Sequence, residues 1–297
     1  MATSPPDPVP AWVDRVGYPF VSRFVALPSG RLHYVDEGSG EPILFVHGTP
    51  TWSYEWRHLI RALSPGRRCV APDLLGFGLS DRPQGVAYSP EAHAAVLAAF
   101  VERLELGRFT LVVHDFGGPI GLPLCLDRPE RVRRLVLVNT WMWPLDDDPA
   151  LRRKARLASS ALGRALYRRW NASLRLIMPH AYGDRRKLTP WINRQYLAPF
   201  PAPDDRERVL WALARALLGS SAYYADLWRR REQLRGRPVL IIWGLRDPAF
   251  GPLALGRWVE LFGPAARVVQ LAAAGHWPHE EAPEAVQQAL VAFLGAA

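Results

Sequence analysis

The stretch "TLVVHDFGGPIGLP", from Thr110 to Pro123, decides the fold. It reads as a short apolar strand, a tight turn and the start of a helix, with Asp115 alone at the apex. A sharp strand-to-helix turn pushes its apex side chain out of the sheet, close to backbone amides and a helix N-terminus. A nucleophile gains from such a place, because it is exposed, fixed and in a positive field. The other role open to Asp115 is capping the helix that follows. Gly117 and Gly118 allow the helix to pack closely, while Val113 is bulkier than the glycine usual two residues before such an apex.

Working outward, strands and helices alternate. Val21–Leu27 and Leu32–Asp36 read as paired strands joined by "PSG", and Pro42–Val46 as a buried strand ending in His47-Gly48. Ser53–Leu63 has helical spacing, "RCVAPD" is a strand, and Ser89–Leu106 is a helix with Ser89 as N-cap and Pro90 at its first position. Arg133–Asn139, "RPVLIIW" and "RVVQL" are further strands, followed by a last helix over Pro283–Leu294. This order predicts a mostly parallel α/β sheet with helices on both faces. Residues 1–140 and 237–297 form the core. Residues 141–236, amphipathic and broken by proline-rich loops, form a helical insertion, and no repeat of about 20 to 50 residues is visible.

Two later strand ends complete the reading. "LIIWGLRDPAFG" delivers Asp247, and "VVQLAAAGHWPHEEAPE" delivers His276 before the last helix. Nucleophile, acid and histidine follow the chain order of α/β hydrolases. Asp247 would fix the tautomer of His276 and support its charge. Gly275, just before, points to His276 rather than His279, which reads as a surface histidine in a helix-leading turn. Asp146, Asp147 and Asp148 are rival acids that read as a solvated turn. His47-Gly48-Thr49-Pro50 approaches the elbow from the side, so the amides of Thr49 and Phe116 can form an oxyanion hole.

The segments "HGTPTWSYEWR", "APDLLGFGLSDRP", "ERLELGRFTLVVHDFGGPIGL" and "RVRRLVLVN" resemble the haloalkane dehalogenase family of α/β hydrolases. Epoxide hydrolases share the HGxP and HD-x-GG patterns. The resemblance covers the chain from about Val21 onward except for the insertion. It implies an Asp115–His276–Asp247 triad, no cofactor, and a helical cap over a buried pocket. In that family a tryptophan follows the nucleophile and its indole N–H holds the leaving halide; here that position is Phe116. A second donor, commonly asparagine, sits where this chain has Thr49. Trp141 and Trp143, which begin the insertion just beyond a core strand, are the substitute donors. An epoxide oxygen would instead need a proton from a tyrosine of the insertion: Tyr167, Tyr182, Tyr196, Tyr223 or Tyr224.

A carboxylate nucleophile suits displacement at saturated carbon, giving an alkyl ester that His276-activated water hydrolyses. The function expected is hydrolytic dehalogenation of a small apolar haloalkane, with epoxide hydrolysis or another cofactor-free hydrolase as the alternative. A ligand-binding protein on a hydrolase scaffold is the non-enzymatic alternative. Composition agrees: 49% hydrophobic and 22% charged residues suit a globular protein. No apolar run reaches the roughly 18 residues of a membrane span, and the N-terminus lacks the marks of a signal peptide. Cys69 and Cys125 read as buried reduced thiols, without metal-ligand spacing, which points to the cytoplasm. The net charge of +9 concentrates in residues 141–236, with 19 basic and 9 acidic residues. With no nucleic-acid motif beside them, these arginines read as a solvated helical face. No nucleic-acid or membrane partner is expected, and the chain is expected to be a monomer or homodimer.

Overall fold

The computed structural model describes residues 9–146 and 148–295. Eight strands form one sheet in the order β1-β2-β4-β3-β5-β6-β7-β8. The first two, β1 (Arg23–Leu27) and β2 (Gly30–Glu37), pair antiparallel, and β2 joins β4 (Arg68–Pro72) antiparallel. From β4 onward, β3 (Pro42–Val46), β5 (Phe109–Asp115), β6 (Val132–Thr140), β7 (Val239–Gly244) and β8 (Ala266–Leu271) are all parallel. The sheet reading therefore holds. Every residue of β5 and β7 is buried, as unbroken apolar runs covered on both faces must be. β8, at the edge, mixes half-buried and exposed positions and has no fully buried residue.

Helices lie where their start signals place them. Helix α1 (Arg57–Leu63) follows a tight turn at Ser53–Trp56, so the helical segment expected from Ser53 begins as a narrower turn. Helix α2 (Pro90–Arg103) is capped by Ser89, whose hydroxyl accepts the amide of Ala92. Helix α3 (Gly117–Asp127) springs directly from β5. Between β6 and β7 the chain makes a run of helices, opening with α4 (Pro149–Ser159) and α5 (Ala161–Trp170) and ending with a helix at Ser221–Arg229 and a short helical turn at Arg231–Leu234. Asp148 caps α4 through the amides of Ala150 and Leu151, and Asp146 accepts the hydroxyl of Ser221. Both thus serve structure, while Asp147 lies outside the described residues.

Arginines of this helical run meet its acids. Arg168 pairs with Asp204 at 2.7 Å and with Glu207 at 3.2 Å, on the exposed face. Such solvated pairs contribute little to stability. Cys69 and Cys125 are both free and buried. Among the described residues no helix is long and apolar enough to cross a membrane.

Candidate active site

The turn at the end of β5 is as sharp as its sequence suggests. Asp115 has φ 51°, in the left-handed region that a residue with a Cβ seldom occupies. Surrounding structure holds it there. The hydroxyl of Thr140, its neighbour on β6, donates to the Asp115 carbonyl at 2.6 Å. Three glycines clear the space around it. A methyl group at Gly117 would lie 2.1 Å from the Val46 carbonyl oxygen, and one at Gly118 2.0 Å from Thr140 Oγ1. One at Gly48 would sit 2.3 Å from Asp115 Oδ1. The bulk of Val113 is accommodated by Gly121, one turn along α3, where a Cβ would lie 2.9 Å from Val113 Cγ1. Strain held by this many surrounding constraints is the kind that clusters at functional sites.

The carboxylate is engaged on both oxygens. The Thr49 amide donates to Oδ1 at 2.9 Å. His276 Nε2 faces Oδ2 at 3.3 Å, and its Nδ1 donates to Asp247 Oδ2 at 2.7 Å. The structure thus brings Asp115, His276 and Asp247 into one line, although they are far apart in sequence. It does so because β5, β7 and β8 run parallel and all three residues emerge at their carboxyl ends. The Phe116 amide, at the start of α3, lies close to Gly48 beside this carboxylate.

Electrostatics follow from burial and charge. Burial alone would disfavour the imidazolium of His276, but Asp247 and Asp115 outweigh it and raise its pKa to about 10. Burial likewise opposes the charge on Asp247. His276, the Ala249 amide at 2.7 Å and Asn139 nevertheless hold its carboxyl below the ordinary range. The two carboxylates thus favour the protonated ring of His276.

The loop before the elbow is fixed by His47. Its Nδ1–H donates to the Gly48 carbonyl at 2.7 Å, and its Nε2 accepts the Leu74 amide at 2.9 Å. Accepting that amide requires a neutral ring, and burial lowers the pKa of His47 accordingly. The Thr49–Pro50 peptide is cis.

Both candidate halide donors are buried, in different surroundings. Trp141 meets Phe116 edge-on at 4.8 Å and stacks on Phe250 at 4.8 Å; Phe250 in turn covers His276 at 5.7 Å. The Trp141 indole nitrogen is buried without a hydrogen-bond partner, as is the Thr49 hydroxyl. Trp143 packs instead against Trp228 and Trp258, each at 5.1 Å, and under Arg257. Of the tyrosines in the helical run, Tyr223 and Tyr224 commit their hydroxyls to the carbonyls of Pro119 and Ala216.

One expectation about the histidine loop is corrected. His279 is wholly buried rather than on the surface, because the loop folds inward beneath the elbow. Gly275 is needed for close approach. A methyl group there would lie 2.2 Å from the Ala181 carbonyl oxygen, which accepts the His276 amide at 2.9 Å.

Comparison with known proteins agrees with this geometry. The α/β hydrolase fold family matches residues 41–283. Haloalkane dehalogenase 2 of Mycobacterium tuberculosis is 38% identical over 279 residues, covering 94% of this chain and 96% of its own. The chain belongs to the haloalkane dehalogenase family. Among solved structures of that family, haloalkane dehalogenase DbeA from Bradyrhizobium elkani superimposes with a TM-score of 0.84 at 25% identity, covering 94% of this chain and all of its own. A cis-3-alkyl-4-alkyloxetan-2-one decarboxylase of Shewanella oneidensis is also similar, at 34% identity over 276 residues, covering 90% of this chain and 86% of its own.

Within this haloalkane dehalogenase family member, sequence reasoning missed Asn139. It is the penultimate residue of β6, with φ 31°, donates from Nδ2 to Asp247 Oδ2 at 2.8 Å, and accepts the Gly244 amide at 2.8 Å. The signal was present as the amide that closes "RRLVLVN", an apolar strand with no other reason to end in asparagine. His114 and Glu55 were also missed. Neither was assigned a role from the sequence, yet both are fully buried beneath the elbow.

Proposed function

We propose that this enzyme hydrolyses a small halogenated alkane through a covalent ester on Asp115. One observation carries the reading: a strained carboxylate held by the Thr49 amide on Oδ1, with Oδ2 facing the imidazole of His276. Oδ2 attacks the carbon bearing the halogen, the carbon–halogen bond breaks, and the halide leaves with its electron pair. The ester no longer carries the Asp115 charge that helped hold His276 protonated. His276 then gives up its proton to bulk water and becomes a base, while Asp247 fixes its tautomer. It takes a proton from water, whose oxygen attacks the Asp115 carboxyl carbon. The developing oxyanion on Oδ1 is met by the Thr49 and Phe116 amides, the alcohol departs, and the carboxylate is regenerated. No cofactor is required. Trp141 is the donor assigned to the halide, because Phe116 has none and the Trp141 indole N–H is unpaired.

That same lack of a donor at Phe116 favours a second reading, attack on a strained cyclic ester of the kind named for the decarboxylase relatives. The test is one substrate panel with wild type and Asp115→Ala: bromide from a primary bromoalkane, diol from a small epoxide, carbon dioxide from a cis-dialkyl oxetanone. Bromide release that Asp115→Ala abolishes, with an unchanged melting curve, is the expected result. Diol or carbon dioxide without bromide overturns the dehalogenase reading, and an active Asp115→Ala overturns the nucleophile.

A further inference from the structure

Directly beneath the elbow, three ionisable side chains meet with almost no hydrogen bonds between them. Glu55, from the turn after β3, His114, from β5, and His279, from the short helical turn Pro278–Glu281, are each 0% exposed. Glu55 Oε1 lies 3.4 Å from His114 Nδ1, and Oε2 lies 3.8 Å from His279 Nε2. The rings of His114 and His279 meet edge-on at 4.7 Å, and Trp56 stacks on His279 at 4.5 Å. Both Glu55 oxygens, His114 Nδ1 and both His279 nitrogens lack a hydrogen-bond partner.

One hydrogen bond fixes the chemistry of this cluster. His114 Nε2 sits 2.9 Å from the backbone carbonyl of His276. A carbonyl only accepts, so Nε2 bears a hydrogen. In a neutral His114 the Nδ1 atom is then a bare lone pair, facing a carboxylate oxygen. Two acceptors facing each other in a dry interior repel, and an uncompensated buried carboxylate is costlier still. A proton on Nδ1 removes both faults. Neighbouring charges leave it as the available counter-charge. Arg57 is taken by Glu280, with Nη2 donating to Oε2 at 2.8 Å, and the Tyr196 hydroxyl also donates to Glu280. His47 is neutral, burial raises the pKa of Tyr182 far above its ordinary value, and His276 is committed to Asp247 and Asp115.

We infer that Glu55 and His114 form a buried carboxylate–imidazolium pair, with the neutral ring of His279 beside them, and that this pair holds the His276 loop in register with Asp115. Glu55 and His114 are positioning residues. They join three loops: the turn leading from the Thr49 amide, the elbow, and the histidine loop. The charged Nε2–H of His114 grips the His276 carbonyl more strongly than a neutral ring would. On the opposite side the His276 amide donates to the Ala181 carbonyl, so the backbone on either side of the catalytic imidazole is tied. The inference rests on the proposed role of His276 as base, but the charge of the cluster is a property of the resting protein.

The two parts therefore have separate tests. In full-length protein with 15N-labelled histidine, ring nitrogen shifts assigned by single substitution report each protonation state without any substrate. The expected result is a His114 ring protonated at both nitrogens in the wild type and singly protonated in Glu55→Gln. For the catalytic part, Glu55→Gln is expected to slow hydrolysis of the ester intermediate about tenfold, through loss of alignment, while ester formation changes little. Adduct then accumulates during turnover, and Glu55→Asp restores part of the rate. A neutral His114 in the wild type, one zinc per chain in elemental analysis, or a doubly protonated His114 in Glu55→Gln overturns the pair. Equal slowing of both steps, or of neither, overturns the positioning role.

Discussion

Trp141→Phe separates chemistry from packing, because the removed N–H has no partner in the resting protein. The indole touches Phe116, Phe250 and Tyr224 by its rings alone, at 4.8, 4.8 and 5.9 Å. Phenylalanine retains an aromatic ring for these contacts but offers the leaving halide no donor. Loss of one oriented donor in a water-poor site costs on the order of 3 kcal/mol, or about 100-fold in rate. Stability should move little and in two directions. A smaller ring leaves a cavity worth about 1 kcal/mol. Removing a buried unsatisfied donor returns about 1 kcal/mol or more. The assay is bromide release under single-turnover conditions, beside a thermal melt and a bromide titration. A rate about 100-fold lower, weakened bromide binding and a nearly unchanged melting temperature are expected. Bromide release within about twofold of wild type would remove Trp141 as the halide donor, and Trp143→Phe would then be the informative variant. A large drop in melting temperature would mean that the indole is a core residue first.

His276→Gln should form the ester but not hydrolyse it, since displacement needs no base. Intact-protein mass spectrometry should show an adduct on Asp115, and full turnover would remove His276 as the base. Asp115→Asn imitates the uncharged ester and withdraws one of the two carboxylates facing His276. NMR titration should find the His276 pKa well below its wild-type value of about 10, and an unchanged value would undo the argument that ester formation releases the base. A raised pKa favours the folded state only while the proton is bound. The contribution of His276 to stability is therefore complete below its ordinary 6.5 and is lost as pH rises towards 10. Denaturant unfolding between these limits should show a shallower decline for Asp115→Asn than for wild type.

Much of this architecture was legible in the sequence, because strand and helix signals are local. Apolar runs too short for helices and bounded by turns could only be buried strands, and Ser89-Pro90 could only open a helix. The order Asp115, Asp247, His276 was legible for the same reason: Asp115 ends β5, the other two closely follow β7 and β8, and a parallel sheet delivers all its carboxyl ends to one edge. The requirement at the elbow could also be read from Gly117 and Gly118, although their clearance against Val46 and Thr140 is a distance that no sequence states.

What the sequence could not supply is which polar residues turn inward. Glu55 sits in a segment whose helical spacing assigns it a face without saying what lies opposite. His279 follows His276 by three residues and reads as a loop histidine until the chain folds beneath β5. Asn139 is one amide at a strand end, and only the approach of β7 puts it against Asp247. Trp141 and Trp143 are indistinguishable by sequence position. They differ because the chain leaving β6 sets one against Phe116 and the other against Trp228 and Trp258. Local residue types determined the sheet, the elbow and the chain order of the proposed reacting groups. Only tertiary packing decided the partners of each buried polar group, because burial in a dry interior is a property of the neighbours and not of the residue.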